Sequence, residues 1–359
     1  MRALTKRYLP KRSVGAVSLG LTLAVSVTQS SHASTLASDS TRWIAVYAGG
    51  PHRPSYTVRD FVTLLAVVDT AGTPTAWLCD GALFVEFQAV SGHVYIRRGS
   101  DSLADGADWS AILDSLFSAG GPVARLDSAV ALLDAQVGTL EHPFRVSFLL
   151  PYPASASVKF LDKTFRTDTL PGLVSALSVY ATEVGRRFRR SYGHLELYAF
   201  QWGDEGMLPS DTALVVGVGQ EVHKLGKRFL WVPAFGVRRA TDWRVFGFDD
   251  AWLQPNYFFH PEVPATRLDT AFAWARAAKM GVELEFDRRM FGPPEFSDRL
   301  EPYLTAFESA PDLRVRSIVI YEGAGALLIL ARSRDEWHRA LYHRLVAALR
   351  PLPPYVAHQ

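Results

Sequence analysis

Residues Met280 to Asp287 read MGVELEFD, and this stretch decides the fold because it sets three carboxylates on one face of an otherwise apolar segment. Strand side chains alternate with a period of two, so Gly281, Glu283, Glu285 and Asp287 share one face and Val282, Leu284 and Phe286 the other. Ionised carboxylates are seldom fully buried without partners, so the acidic face must look into a wet or well-paired cavity. In a closed barrel of parallel strands that cavity is the barrel's mouth, where active sites sit. An edge strand with one solvated face satisfies the same eight residues. The choice rests with the flanking sequence.

Outward from this segment, short runs rich in β-branched and aromatic residues alternate with amphipathic stretches. The candidate strands are Trp43 to Tyr47, Ala82 to Phe87, Arg145 to Leu150, Leu195 to Gln201, Arg228 to Val232, Trp252 to Phe258, Gly281 to Phe286 and Arg316 to Tyr321, eight in all. Helix patterns separate most of them: Val58 to Val68, Trp109 to Leu116 with Leu126 to Gln136, Leu173 to Arg190, Thr212 to Leu225, Arg267 to Lys279 and Arg299 to Glu308, with Asp335 to Leu349 closing the chain. Asp211 is placed to cap one helix, Gly226 to follow its last turn, and Ser297 or Asp298 to start another. Between the fifth and sixth strands only Thr241 to Phe246 is available as a helix, and Gly323 to Leu330 is a candidate hairpin partner for the eighth strand.

Strands joined through helices imply right-handed crossovers and a parallel sheet, and eight such units fit an α/β (β/α)8 TIM barrel in count and length. The competing architecture is an open doubly wound sheet. That fold usually carries a Gly-rich phosphate loop after its first strand, and Ala48-Gly49-Gly50-Pro51 lacks the G-x-G-x-x-G spacing.

At 359 residues, 48% hydrophobic and 12% aromatic, the chain has the material for a large core. With 38 basic against 36 acidic residues there is no electrostatic footprint for nucleic acid. Lys6, Arg7, Lys11 and Arg12 precede the apolar run Val14 to Val27, and small and polar residues end at Ser31-His32-Ala33. This pattern reads as a signal peptide over residues 1–33, leaving a barrel domain over 34–359 and a secreted or periplasmic protein without stable membrane insertion. An uncleaved anchor is the alternative, but the apolar run falls short of the roughly 20 residues a spanning helix needs. Cys79 is the only cysteine, so no intramolecular disulfide forms, and its apolar neighbours make it a buried thiol rather than a nucleophile.

The strand ends carry the chemistry. After the fourth strand the chain reads LELYAFQWGDEG, with Trp202 and Glu205 in the loop where a barrel presents its site. Trp231 ends the fifth strand. The sixth, WLQPNYFFH, supplies Gln254, Asn256, Tyr257 and His260, and Pro255 marks a bulge or break that re-aims the residues after it. Aromatic rings, amides and acids in one cavity suit a sugar. Glycoside hydrolysis needs two carboxyl groups flanking the bond, which Glu205 and the Glu283/Glu285 pair provide. No HExxH, paired-Cys zinc pattern, Walker loop or G-x-S-x-G elbow occurs, so no metal and no cofactor is expected. A metal-dependent hydrolase built on Asp80 and His260, a polysaccharide lyase, and a carbohydrate-binding or surface scaffold barrel without turnover are the other readings.

FLLPYP (Phe148 to Pro153), LELYAFQWGDE (Leu195 to Glu205), FLWVPAF (Phe229 to Phe235), WRVFGFD (Trp243 to Asp249), LQPNYFF (Leu253 to Phe259) and GVELEFD (Gly281 to Asp287) together resemble the bacterial family catalogued as domain of unknown function 4855. The resemblance spans most of the chain after residue 33 and is looser over Cys79 to Val90. It implies a secreted or surface protein with a glycosidase-like barrel and brings no settled reaction. By analogy of fold, retaining glycosidases often place the acid/base after the fourth strand and the nucleophile on the seventh. Glu205 and Glu285 hold those positions, with Glu283, one pleat or about 6.6 Å deeper, orienting its neighbour.

Overall fold

The computed structural model describes residues 41–51, 53–97, 102–154, 156–189, 192–314 and 317–349. The expected signal peptide, the expected domain start at Ser34 and Arg316 at the head of the eighth strand lie outside these residues.

Eight parallel strands close a barrel: β1 (Arg42–Tyr47), β2 (Gly81–Val85), β3 (Phe144–Leu150), β4 (Leu195–Trp202), β5 (Arg228–Trp231), β6 (Asp250–Leu253), β7 (Gly281–Asp287) and β8 (Ile318–Gly323). Each pairs with its neighbours in chain order, and β8 closes on β1 through Arg42 opposite Ile318 and Trp43 opposite Val319. The MGVELEFD segment is therefore an interior strand, hydrogen-bonded on both sides, and neither the edge-strand nor the open-sheet reading holds.

The register fixes which side chains enter the barrel. Trp43, Leu83, Ala199, Leu230, Val232, Trp252 and Val319 form a compact cluster inside it, with Trp43 and Trp252 edge to face at 6.2 Å. Two glycines make room for these rings: a Cβ at Gly81 would lie 2.6 Å from the Trp43 ring, and one at Gly281 2.3 Å from Trp252 Cδ1. That indole plug floors the cavity, so the inward residues above it decide the chemistry. Outward residues such as Ile44, Phe84, Phe148, Phe200, Leu284 and Ile320 belong to a second, larger core against the helices.

Two irregularities shape the barrel. Val146 faces Leu197 but Ser147 faces Ala199, so Tyr198 is an extra residue that bulges β4. The sixth strand, expected to run to Phe258, stops at Leu253. Pro255 has no N–H to extend the ladder, and Asn256 turns the chain left-handed at φ 51°. Pairing between β6 and β7 is thereby confined to Trp252 with Gly281 and Leu253 with Val282, which frees the upper part of β7 on that flank.

Elsewhere the structure corrects local expectations. The helix expected over Val58 to Val68 ends at Leu65, because Ala66–Val68 pairs as a strand with Pro74–Trp77 across a turn at Gly72 (φ 81°). Asp211 is the N-cap residue of the helix Thr212–Lys224, as expected, but its carboxylate makes no bond to that helix and takes the Leu208 N–H and the Arg97 guanidinium instead. Neither Ser297 nor Asp298 starts the helix Leu300–Glu308, whose N-cap is Arg299. Gly323 to Leu330 forms no hairpin, since Ala324 and Gly325, both at positive φ, lead into the helix Ala326–Arg332. The link between β5 and β6 is a 3-10 helix, Ala240–Phe246, and Gly226 ends its helix at φ 66° as expected. Cys79 is buried and burial pushes its thiol pKa up. Among the described residues no helix is long and apolar enough to cross a membrane.

Candidate active site at the barrel mouth

Above the indole plug the inward positions turn polar. Ser147 on β3, Gln201 on β4, Gln254 just past β6, and Glu283 and Glu285 on β7 are all buried, each at 9% exposure or less. Each keeps one oxygen with no hydrogen-bond partner in the protein: Ser147 Oγ, Gln201 Oε1, Gln254 Oε1, Glu283 Oε2 and Glu285 Oε1. Buried polar atoms are nearly always partnered, so five orphans in one barrel end mark a place built to contact something else.

Glu285 is held on one side only. Its Oε2 accepts the Tyr303 hydroxyl and the Tyr257 backbone N–H at 3.3 Å, and the Asn256 N–H supports the same carboxylate. The truncated sixth strand creates this arrangement: the left-handed turn at Asn256 aims two successive N–H groups at β7, and Tyr303 reaches in from the helix Leu300–Glu308. Burial drives the Glu285 pKa up to about 7, opposed by the Tyr303 and Tyr257 donors and reinforced by Glu205.

Glu283 lacks such support. Burial, then repulsion from Glu285 and Glu205, push its pKa well above the carboxylate range, and only the Gln254 side chain opposes this. Glu205 itself is half-buried in the loop after β4, and its charge is felt by Glu283, Glu285 and Tyr47. The three expected acids thus share one electrostatic site, with two of them on a single strand face.

The expected aromatic lining is corrected. Trp202 and Trp231 lie directly opposite each other in the β4/β5 ladder, and Leu230 and Val232 are the inward residues of β5, so both indoles face the helices. Trp231 stacks on Phe248 at 5.0 Å and donates its Nε1 to the Asp204 carbonyl, while Trp202 meets Tyr152 at 5.9 Å. The Tyr257 ring is sandwiched between Tyr303 and the Arg299 guanidinium, 3.7 Å from its centre, so Tyr257 serves the site through its backbone. His260 stands apart at the surface, its Nδ1 3.2 Å from the Glu262 carboxylate. Gln254 and Asn256 do sit at the site, the first on Glu283 and the second through its N–H on Glu285.

The aromatic rim comes from residues outside the expected set. Tyr47 and Tyr321 end the inward faces of β1 and β8 and stand edge to face at 5.5 Å, with Phe87 and Phe259 each packing edge-on to one of them at 5.3 Å. The same rule that singled out the ends of β4 to β6 applies to Tyr47 and Tyr321. Around the collar, Arg53 forks onto Glu86 at 2.7 and 2.8 Å, and Arg97 pairs with Asp211. A groove of about 480 Å³ beside Glu205 is lined by Ile96, Arg97, Asp204 and Met207. Burial raises Asp204 to about 6, against the Arg97 backbone N–H and charge. Among the described residues no group of three or more His, Cys, Asp or Glu side chains is placed to hold a metal.

Against known proteins, the family model described as domain of unknown function (DUF4855) matches residues 43–347. No curated protein matches. Among solved structures the chain is similar to the ICChI chitinase from Ipomoea carnea (12% identity, 85% of this chain and 99% of that one, TM-score 0.42). It is also similar to concanavalin B (14%, 85% and 99%, TM-score 0.43) and to the tryptophan synthase α-subunit of Pyrococcus furiosus (13%, 87% and 98%, TM-score 0.38). Identities this low concern the fold alone.

Proposed function

The chain belongs to the family of domain of unknown function (DUF4855), and from that premise we propose that it is a glycoside hydrolase acting on a poly- or oligosaccharide at the barrel mouth. The observation that carries the reading is the half-anchored carboxylate of Glu285: Oε2 is fixed by Tyr303 and Tyr257, while Oε1 is buried and unpartnered beside Glu205. A nucleophile or base needs that asymmetry, since donors on one oxygen orient the group and keep it ionised while the other oxygen reacts.

In this reading Glu205, reachable from solvent in its loop, protonates the glycosidic oxygen, and Glu285 Oε1 attacks the anomeric carbon or activates water. Glu283, neutral and hydrogen-bonded to Gln254, lies behind Glu285 on the same strand face. The Tyr47, Phe87, Phe259 and Tyr321 collar offers apolar ring surface to a sugar. A barrel that binds glycans without turnover is the second reading. Glu285 keeps one buried oxygen without a partner, whereas a purely structural buried acid would have both satisfied, and this favours catalysis. We also propose export, on the charged-then-apolar leader of residues 1–33. The test is reducing-end release from a panel of bacterial and plant polysaccharides, in the wild type and in Glu285→Gln. Release by the variant at the wild-type rate sinks the assignment.

A further inference from the structure

The polar floor of the mouth is one-sided in its chemistry. Four of its five orphan atoms are carbonyl or carboxyl oxygens, from Gln201, Gln254, Glu283 and Glu285, and the fifth is the Ser147 hydroxyl. None of the unpartnered atoms of these five residues is a nitrogen. A ligand that completes this site must bring hydrogen-bond donors.

The charge around the floor is one-sided too. The arginines at the rim are already matched: Arg53 by Glu86, Arg97 by Asp211, and Arg289 by Asp287 at 2.9 Å. Arg299 turns its guanidinium onto the carbonyls of Tyr257, Phe258, His260, Pro261 and Val263. None of the described cations is paired with Glu283 or Glu285, and an ammonium seated against them would release to solvent the proton that burial holds on Glu283, so the filled mouth is a negative well with low-dielectric walls. The collar above it already holds cations on its ring faces, Arg53 at 4.7 Å from the centre of Tyr47 and Arg289 at 5.0 Å from that of Phe259. Aromatic rings at the rim and, at the floor, carboxyls that no described cation partners together form a receptor for a positive, donor-rich group.

We propose that the glycan taken by this site carries a free ammonium group, an unacetylated hexosamine rather than an N-acetylhexosamine or a uronic acid, seated against Glu283 and Glu285 beneath the Tyr47–Tyr321 collar. The sugar part of this inference rests on the glycosidase reading; the charge does not. A uronate carboxylate would face like charges and no unmatched arginine. An acetyl group would bury its carbonyl oxygen against acceptors and remove the charge.

The experiment is calorimetric titration of the wild-type chain at neutral pH with deacetylated gluco- and galactosamine oligomers, their N-acetylated counterparts, cello-oligosaccharide and oligogalacturonate. At least one amine oligomer should bind about tenfold or more tighter than every acetylated, neutral or acidic one, and raising salt to about 0.5 M should shrink that margin. Glu283→Gln should shrink it as well, and the wild-type ranking decides the question without the variant. Equal or tighter binding of an acetylated, neutral or acidic oligomer, or binding by none of the six, overturns the proposal. Reducing-end release on the same panel separates the two claims. Cleavage without amine preference refutes the ammonium and leaves the hydrolase, whereas amine-selective binding with no cleavage does the reverse.

Discussion

The Tyr303 hydroxyl donates to Oε2 of Glu285, joining a helix residue to the upper end of β7 where β6 has already stopped. This bond lowers the Glu285 pKa against the burial that raises it to about 7. Tyr303→Phe removes the donor, so the pKa rises and less Glu285 is ionised at neutral pH. The acidic limb of the pH–rate profile should move up by about one unit, with activity recovered at higher pH. An unshifted limb with uniformly lower activity would mean that Tyr303 only packs.

Glu205→Gln and Glu285→Gln should each lower turnover by about a hundredfold or more at saturating substrate. Both changes are nearly isosteric, so neither should lower the melting temperature by more than a few degrees. Anomeric NMR of the product then reports whether Glu285 attacks or acts through water. Wild-type turnover in either variant removes that residue from the chemistry.

How far the sequence reached depends on the kind of signal. Apolar patterning, in short runs rich in β-branched and aromatic residues, located all eight barrel strands, because inward and outward faces both need filling. It also found β7's acids, which no buried face tolerates without a purpose. It failed where orientation hangs on a single residue of register: Trp202 and Trp231 sit at strand ends as expected, yet they occupy the outward parity. The expected break at Pro255 does re-aim the residues after it, yet the left-handed turn at Asn256 sends the Tyr257 ring onto Tyr303 and Arg299 and leaves only its N–H to the site. Tyr303 could not be read at all, since nothing in a helix pattern says which residue will meet a carboxylate from a different element.

Trp231→Ala should therefore cost stability first. The indole is fully buried between Phe246 and Phe248, and its loss opens a cavity worth about 3–5 kcal/mol. Trp231→Phe should retain most of that stability and bind glycan as the wild type does. Weakened binding in a stably folded Trp231→Phe protein, measured by calorimetry beside thermal melts, would return the indole to the site.

The leader makes a separate, biochemical prediction. Protein collected from the extracytoplasmic fraction should begin between about Ser31 and Ser40 by N-terminal sequencing, because the small residues ending at Ala33 follow the apolar run. Recovery of chains that still start at Met1 would contradict export.

Glu283 gives the sharpest linkage test. Its pKa in the folded protein lies well above the ordinary 4.5, so the native state holds a proton that the unfolded chain releases. The proton's stabilising contribution is therefore complete below pH 4.5 and is lost as pH rises toward the folded pKa, at about 1.4 kcal/mol per pH unit. Glu283→Gln has no such proton to lose. The variant's melting temperature relative to wild type should climb as pH rises above the ordinary carboxylate range, until the folded pKa of Glu283 is passed, even as its neighbour Glu285 titrates in both proteins. A difference that does not change with pH above the ordinary carboxylate range would show that Glu283 is ionised in the folded state, paired in a way that the Gln254 contact alone does not provide.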